Sequence, residues 1–105
     1  MNEEIKLLNI SDRIFKKYER SVRGNKDIDV DIARRKLTRN FILGKQVYQD
    51  YNYKYITRRY GKLYIQVNIQ AMEIIDIQNR RNNRAMNGYI NPREKKDLNK
   101  LLGLE

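Results

Sequence analysis

Apolar residues recur at helical spacing near the start of the chain. They are Leu7, Ile10, Ile14, Tyr18 and Val22, with Phe15 beside them. Glu3 and Glu4 precede this stripe, basic residues gather toward its end, and Gly24 follows. These charges complement a helix dipole, and glycine is a common helix terminator. We therefore predict an amphipathic helix over residues 3–23.

A second apolar stripe follows a run of alternating aspartates, Asp27, Asp29 and Asp31. The stripe consists of Val30, Ala33, Leu37 and Phe41, and Gly44 supplies a stop. Arg35 and Arg39 lie nearly opposite the stripe on a helical wheel. The pattern predicts a second helix that presents these two guanidiniums outward.

The middle of the chain alternates between apolar and polar residues. Residues 62–69 place Leu63, Ile65, Val67 and Ile69 on one side of a strand and Tyr64, Gln66 and Asn68 on the other. Residues 45–60 suit either a helix or a strand. Because a lone strand leaves its backbone groups unpaired, we predict a short hairpin in which the stretch ending at Arg59 returns through Tyr60-Gly61.

Two further helices are predicted toward the C-terminus. Residues Ala71 to Asn87 resume helical spacing and end before Gly88. Asn91 is a candidate N-cap, Pro92 suits the first helical position, and Glu94 completes a capping box. Leu98, Leu101 and Leu102 then provide the apolar face of a short helix that ends at Gly103.

These elements define the predicted fold class. We expect an α+β fold that is mostly helical, with three to four helices and a short basic β-hairpin, in one domain over residues 1–105. This order of elements is compatible with a winged-helix-like arrangement, in which a wing follows a recognition helix.

The composition removes the commonest catalytic groups, because the chain contains no cysteine and no histidine. The carboxylates form no pair suited to acid–base catalysis and no calcium-loop pattern. We therefore predict a protein that is not an enzyme and that uses no cofactor and no metal. A nuclease built from lysine, arginine and tyrosine stays open as an alternative.

Neither a secretory signal nor a run of about 18 apolar residues is visible, so we expect a cytoplasmic protein without membrane contact. The abundance of Asn, Ile, Lys and Tyr is typical of AT-rich coding sequences. We expect a bacterial, phage or plasmid source.

Positive charge is concentrated in the middle third of the chain. The whole chain carries a net charge of +10. Residues 1–31 hold seven basic and seven acidic residues, whereas residues 32–70 hold nine basic residues and the single acid Asp50. Such a local field attracts phosphate backbones more effectively than diffuse charge does.

Basic and aromatic side chains alternate in this region, as they do in proteins that hold nucleic acid. Arginine and lysine neutralise phosphates, and tyrosine rings stack on bases. The predicted nucleic-acid-binding residues are Arg34, Arg35, Arg39, Lys54, Arg58, Arg59, Tyr60, Lys62, Arg80, Arg81 and Arg84. The predicted stacking residues are Tyr53, Tyr55 and Tyr64.

Each of these groups also has a purely structural interpretation. The tyrosines can belong to the core, and the charged residues can keep a strand edge soluble. Arg34, Arg35 and Arg39 can form a solvated helix face, and Asp76 can pair with Arg80 four residues later on a helix.

The interpretation we favour is a small basic protein that grips duplex DNA. In this hypothesis Arg35, Arg39, Lys54, Arg58, Arg59 and Lys62 form one positive surface that contacts the phosphates. The alternatives are an RNA-binding protein, a histidine-free ribonuclease toxin, and an assembly or inhibitor protein that docks on an acidic protein surface. A homodimer could form through the helix at residues 71–86 or through an open strand edge.

Overall fold

The computed structural model describes residues 5–22, 27–80 and 90–104. These residues form three helices and four strands, joined by loops. In chain order they are α1 (Asp12–Ser21), α2 (Val30–Leu43), β1 (Lys45–Gln49), β2 (Tyr55–Tyr60), β3 (Leu63–Asn68), β4 (Glu73–Asn79) and α3 (Pro92–Leu101). Each strand pairs antiparallel with the next in the order β1-β2-β3-β4. No helix in the described ranges has the length and apolar character needed to cross a membrane.

The predicted fold class is wrong in its balance of elements. The fold is α+β with a four-stranded antiparallel sheet, instead of a mostly helical domain carrying one hairpin. A winged-helix-like arrangement does not describe it. The 45–60 segment, which suited either helix or strand, forms β1 and β2 around a loop at residues 50–54.

The helix predicted from Ala71 to Asn87 is also wrong where the structure describes it, because residues 73–79 form β4. Ile74 and Ile77 are three residues apart, which suits a helix, yet both are buried against the sheet's core. A bulge in the pairing of β3 with β4 places an extra residue between them and lets both face the same side. Residues 81–87 of the predicted helix lie outside the described residues, and a dimer through that helix loses its basis.

The first helix is shorter than predicted. It begins at Asp12, where the Ser11 side chain accepts a hydrogen bond from the Ile14 backbone N–H. The preceding residues are extended: Asn9 pairs in parallel with Glu73 at the start of β4, and Leu8 is buried. The helical spacing of the first apolar residues was therefore misleading.

The starts of α2 and α3 and the existence of the β2–β3 hairpin agree with the sequence predictions. Asp29 caps α2 and Asn91 caps α3, each through a side-chain oxygen. The predicted hairpin is the β2–β3 pair, although its two turn residues are Gly61 and Lys62, one position later than expected. Gly61 has φ +60°, as glycine at the first position of a type II′ turn requires.

All three helices lie on one side of the sheet. The α2 stripe packs with the buried alternate residues of β3 and with β4, and the core residues are Leu8, Ile14, Tyr18, Ala33, Leu37, Phe41, Leu63, Ile65, Val67, Ile74 and Ile77. Gly44 lets α2 approach β2 closely, because a Cβ there would lie 2.9 Å from the Asn40 carbonyl oxygen and 3.1 Å from that of Arg59. The opposite side of the sheet, which we call the open face, carries no helix in the described part of the chain.

Helix α1 is attached to β4 by Asp76. The Asp76 Oδ1 atom lies 2.9 Å from Lys17 Nζ and 3.7 Å from Arg13 Nη1, and it accepts a hydrogen bond from the Ile77 N–H. Desolvation pushes the pKa of the Asp76 carboxyl upward. The hydrogen bonds from Lys17 and Ile77 and the charges of Lys17 and Arg13 outweigh desolvation, so the pKa lies below its ordinary value.

We expect the Asp76→Asn variant to be less stable than the natural protein at pH 6 and to lose that difference at acid pH. A carboxyl whose pKa is depressed by folding stabilises the fold above its unfolded pKa, and this contribution disappears as the pH falls through the folded value, below about pH 4. Urea unfolding midpoints at pH 6 and pH 3 measure the effect. Asp12→Asn is the control, since the Asp12 side chain is 76% exposed in its pair with Lys16. A deficit of equal size at both pH values contradicts the assignment.

Candidate nucleic-acid interface

The outward-facing arginines predicted on α2 hold α3 in place. Arg35 Nη1 donates to the Leu102 carbonyl oxygen at 2.7 Å, and Arg35 Nε lies 2.8 Å from Asp31 Oδ2. Arg39 Nη1 donates to Asn99 Oδ1 at 3.0 Å. These bonds engage the two guanidiniums within the protein, so neither is presented freely to a duplex.

Two further arginines that were predicted to bind nucleic acid, Arg34 and Arg58, also form contacts within the protein. Arg34 Nε donates to the Leu8 carbonyl oxygen at 3.0 Å, which ties α2 to the extended N-terminal segment. Arg58 lies on the helical side of β2, with its Cζ 4.5 Å from the centre of the Phe41 ring and its Nη1 donating to the Phe41 carbonyl oxygen. Burial lowers the pKa of Arg58 below its ordinary value, but a guanidinium stays protonated at neutral pH.

We expect Arg35→Ala to destabilise the protein by about 1–2 kcal/mol, because it removes a charged hydrogen bond between α2 and α3. If the protein binds nucleic acid, this variant should bind it as the natural protein does, because Arg35 is engaged within the fold. Urea unfolding and fluorescence anisotropy with a labelled oligonucleotide measure the two quantities, and Arg93→Ala on the exposed side of α3 is the control. A loss of affinity without a loss of stability would restore Arg35 to a binding role.

Across the open face, one row of side chains crosses all four strands at the end nearest the β2–β3 turn. Lys45 pairs with Arg59, Arg59 with Tyr64, and Tyr64 with Gln78. Directly paired residues share a face, and three strand spacings of about 4.8 Å make the row about 14 Å long. We call these four residues, together with Arg80, the basic row. The basic row contains no acidic side chain. Its cations Lys45 and Arg59 lie directly opposite each other on neighbouring strands, and such a pair of like charges lowers the stability of the sheet.

Arg80 stacks on the tyrosine of this row. Its Cζ lies 4.3 Å from the centre of the Tyr64 ring. Its Nη2 donates to Gln78 Oε1 at 3.2 Å, and its backbone N–H donates to the Lys62 carbonyl oxygen at 2.9 Å. The guanidinium is therefore held over an aromatic ring, on the exposed residue that directly follows β4. This geometry offers a planar cation to a base or a phosphate.

The remainder of the open face is mainly polar and aromatic, and it also carries the exposed carboxylate of Glu73, which pairs with Asn68 at the end farthest from the basic row. Tyr48, Thr57 and Gln66 form the next cross-strand row, and Tyr55 pairs with Asn68 beyond it. Tyr48 is 54% exposed. The face thus combines rings that can stack with amides and hydroxyls that can form hydrogen bonds, beside a positively charged end.

One known protein family matches the part of the chain that contains these elements. The family model described as YorE matches residues 8–101. The chain belongs to the YorE family. None of the curated proteins and none of the solved structures matches it. The matched residues run from the buried Leu8 to the end of α3, so the sheet and the whole basic row lie within the part of this YorE family member that defines its membership.

The structure separates the predicted binding residues of this YorE family member into distinct groups. Arg59, Lys62, Arg80 and Tyr64 lie at the basic row or at the turn beside it, and Tyr55 lies farther along the open face. Arg34, Arg35, Arg39, Arg58 and Tyr60 lie on the helical side. Lys54 and Tyr53 belong to the 50–54 loop and its end, with Lys54 Nζ 5.3 Å from the Tyr55 ring centre. Arg81 and Arg84 lie outside the described residues. The single positive surface predicted from the sequence is therefore divided.

Several residues on the open face of this YorE family member are absent from the predicted binding residues, among them the cation Lys45 and the aromatic Tyr48. Lys45 begins β1 directly after Gly44, and Tyr48 follows three positions later. The register shift between Gln46 and Tyr48 puts both on the open face. Only the helix stop at Gly44 indicated that a new element begins there. The predicted Asp76–Arg80 pair is not formed, because Asp76 contacts α1.

Proposed function

We propose that this protein binds single-stranded nucleic acid across the open face of its sheet. The basic row carries the proposal, because it places two cations, an arginine-capped tyrosine and an amide side by side on one surface. Proteins that hold single strands combine a positively charged track with aromatic platforms on which bases stack.

In this proposal the cations and the rings have separate tasks. Lys45, Arg59 and Lys62 neutralise phosphates at the turn end of the sheet. The Tyr64–Arg80 stack and Tyr48 hold bases, since stacking tolerates any base. Gln66 and Asn68 can donate to and accept from base edges, which supplies modest sequence preference.

A single strand suits this geometry better than a duplex. Reading a duplex usually requires a helix or a β-ribbon that inserts free side chains into the major groove. The α2 arginines that would serve this purpose are bonded to α3. A sheet face with half-buried rings instead favours bases that are already unpaired.

Anisotropy titrations with short single-stranded DNA, single-stranded RNA and a hairpin duplex test the proposal. We expect both single strands to bind more tightly than the duplex. With about four phosphates neutralised, log K should fall against log salt concentration with a slope of about −3 for single strands. The two single-strand arms decide between DNA and RNA. Preference for the duplex, or affinity independent of salt, contradicts the proposal.

A further inference from the structure

A second pair of a tyrosine and a cation lies at the end of the open face farthest from the basic row. Lys54 Nζ lies 5.3 Å from the centre of the Tyr55 ring, and both residues are half-buried. Tyr55 begins β2, whereas Tyr64 lies beside the β2–β3 turn. We call Lys54 and Tyr55 the loop-end pair, and Tyr64 and Arg80 the turn-end pair. The open face therefore carries a ring with a cation over it at each of its two ends.

The backbone of the loop-end pair is fixed within the fold. The Lys54 N–H donates to Asp50 Oδ1 at 2.7 Å, and the Tyr55 N–H donates to the same oxygen at 2.8 Å. The Lys54 carbonyl oxygen accepts a hydrogen bond from the Ile69 N–H at 2.9 Å. A group that is held in place before its ligand arrives loses little conformational entropy on binding. The loop-end pair is therefore prepared to receive a base on its ring.

The distance between the two pairs follows from the register of β2 and β3. Asn68 lies four residues after Tyr64 along β3, and Tyr55 is its partner on β2. A rise of about 3.4 Å per residue and a strand spacing of about 4.8 Å place the Cα atoms of the two tyrosines about 14 Å apart. Thr57 and Gln66 form the row between them. A stacked single strand advances about 3.4 Å per nucleotide, so this distance corresponds to about four nucleotides.

The acidic residues near this part of the sheet define the path of a strand between the two pairs. Asp76 Oδ1 accepts a hydrogen bond from Lys17 of α1, and Asp50 Oδ1 accepts from the backbone of the loop-end pair. The carboxylate of Glu73 is exposed and lies beside Asn68, on the β4 side. It repels phosphates from that corner. The favourable path therefore runs diagonally, from the turn-end pair on β3 and β4 to the loop-end pair on β2.

We propose that the open face binds one single strand at both pairs at once, so that its ligands are strands of about four or more nucleotides. This inference rests on the proposed function. A strand bound at the turn-end pair holds its remaining nucleotides close to the loop-end pair, which raises their effective concentration there. A strand that cannot span the distance occupies the turn-end pair alone, because the cations of the basic row lie at that end.

The test compares two alanine variants on strands of two lengths. Unlabelled oligothymidylates of about three and about ten nucleotides, one too short and one long enough for the gap, compete with a labelled strand of the longer length. We expect Tyr55→Ala to weaken binding of the longer strand by about tenfold, since one stacked base is lost, and to change binding of the shorter one by less than about twofold. Tyr64→Ala should weaken both. Comparing each variant with the natural protein at the same length cancels the larger number of binding positions on a longer strand.

Three further variants separate stacking from folding. Tyr55→Phe keeps the ring and should bind both strands with the natural affinity. Lys54→Gln keeps the backbone hydrogen bonds of Lys54 and should make the salt dependence of the longer strand shallower by about 0.7 in slope, with no change for the shorter one. Tyr51→Ala is the matched control, because Tyr51 is 95% exposed in the same loop and belongs to neither pair.

The outcomes distinguish this inference from the proposed function. Equal losses for the two lengths in Tyr55→Ala, or no loss for either, overturn binding at two separate pairs. If Tyr64→Ala still weakens both strands in that case, the proposed function stands without the loop-end pair. If the natural protein binds neither strand, the proposed function and this inference fail together.

Discussion

Replacing Tyr64 with alanine is expected to weaken the binding of single-stranded nucleic acid by about ten- to hundredfold, because stacking of one base on an aromatic ring contributes about 1–3 kcal/mol. The substitution removes the Tyr64 ring. It also removes the stacking partner of Arg80, whose Cζ lies 4.3 Å from the centre of that ring in the natural protein. Combining it with Arg59→Gln should weaken binding further and make the salt dependence shallower by about 0.7 in slope. Anisotropy titration measures both effects.

The control for Tyr64 is another exposed tyrosine. Tyr51 is 95% exposed at the tip of the 50–54 loop and is not part of the open face. Tyr51→Ala should therefore leave the affinity unchanged. If Tyr51→Ala weakens binding as much as Tyr64→Ala does, the contact is not confined to the open face, and the special role given to the basic row is contradicted.

The neighbouring substitution Ile65→Ala should have the opposite profile. Ile65 is fully buried between α2 and the sheet, and truncating such a side chain to alanine costs about 2–5 kcal/mol. Because a domain of this size is stabilised by only about 5–15 kcal/mol, the unfolding midpoint in urea should fall sharply. The fraction that remains folded should bind nucleic acid with the natural affinity.

These two residues follow one another in β3 and point to opposite faces, so they form a matched pair. Tyr64→Ala should lower affinity with little change in stability, and Ile65→Ala should lower stability with little change in affinity. If both variants lose stability to the same degree, the open face is a second packed surface and the binding proposal loses its basis.

Elements with strong local signals were predictable from the sequence. Helix α3 begins after the predicted cap Asn91, and α2 begins within the predicted run of aspartates, where Asp29 provides the cap. The β2–β3 hairpin has clean alternation and a glycine at its turn. Each of these features depends on interactions among residues close in sequence. They can therefore be predicted from the sequence without knowledge of the tertiary structure.

Elements that depend on distant pairing were not predictable. The β4 strand looked helical because Ile74 and Ile77 are three residues apart, and only its bulged pairing with β3 shows that both face the core. The start of α1 was misplaced because Asn9 pairs with β4, more than sixty residues away in sequence. Such pairing replaces a local helical hydrogen bond with one to a distant strand, and propensity cannot decide between them.

The candidate site divides in the same way. Arg59, Lys62, Arg80, Tyr55 and Tyr64 could be named as binding residues from charge and aromatic content. Their grouping could not, because the face that a strand residue occupies depends on register, and a shift of one position reverses it. The roles of Arg35 and Arg39 depend on acceptors near the C-terminus, at Leu102 and Asn99.

By itself, the sequence determined the chemistry: a cysteine- and histidine-free chain with net charge +10, basic and aromatic residues in its middle third, and locally capped helices. The tertiary structure alone decided which cations contact solvent on the open face and which hold α3 to α2. The physical reason is that charge and helix capping belong to individual residues and their near neighbours. The surroundings of a guanidinium are decided instead by strand register and helix packing, which bring together residues far apart in the chain.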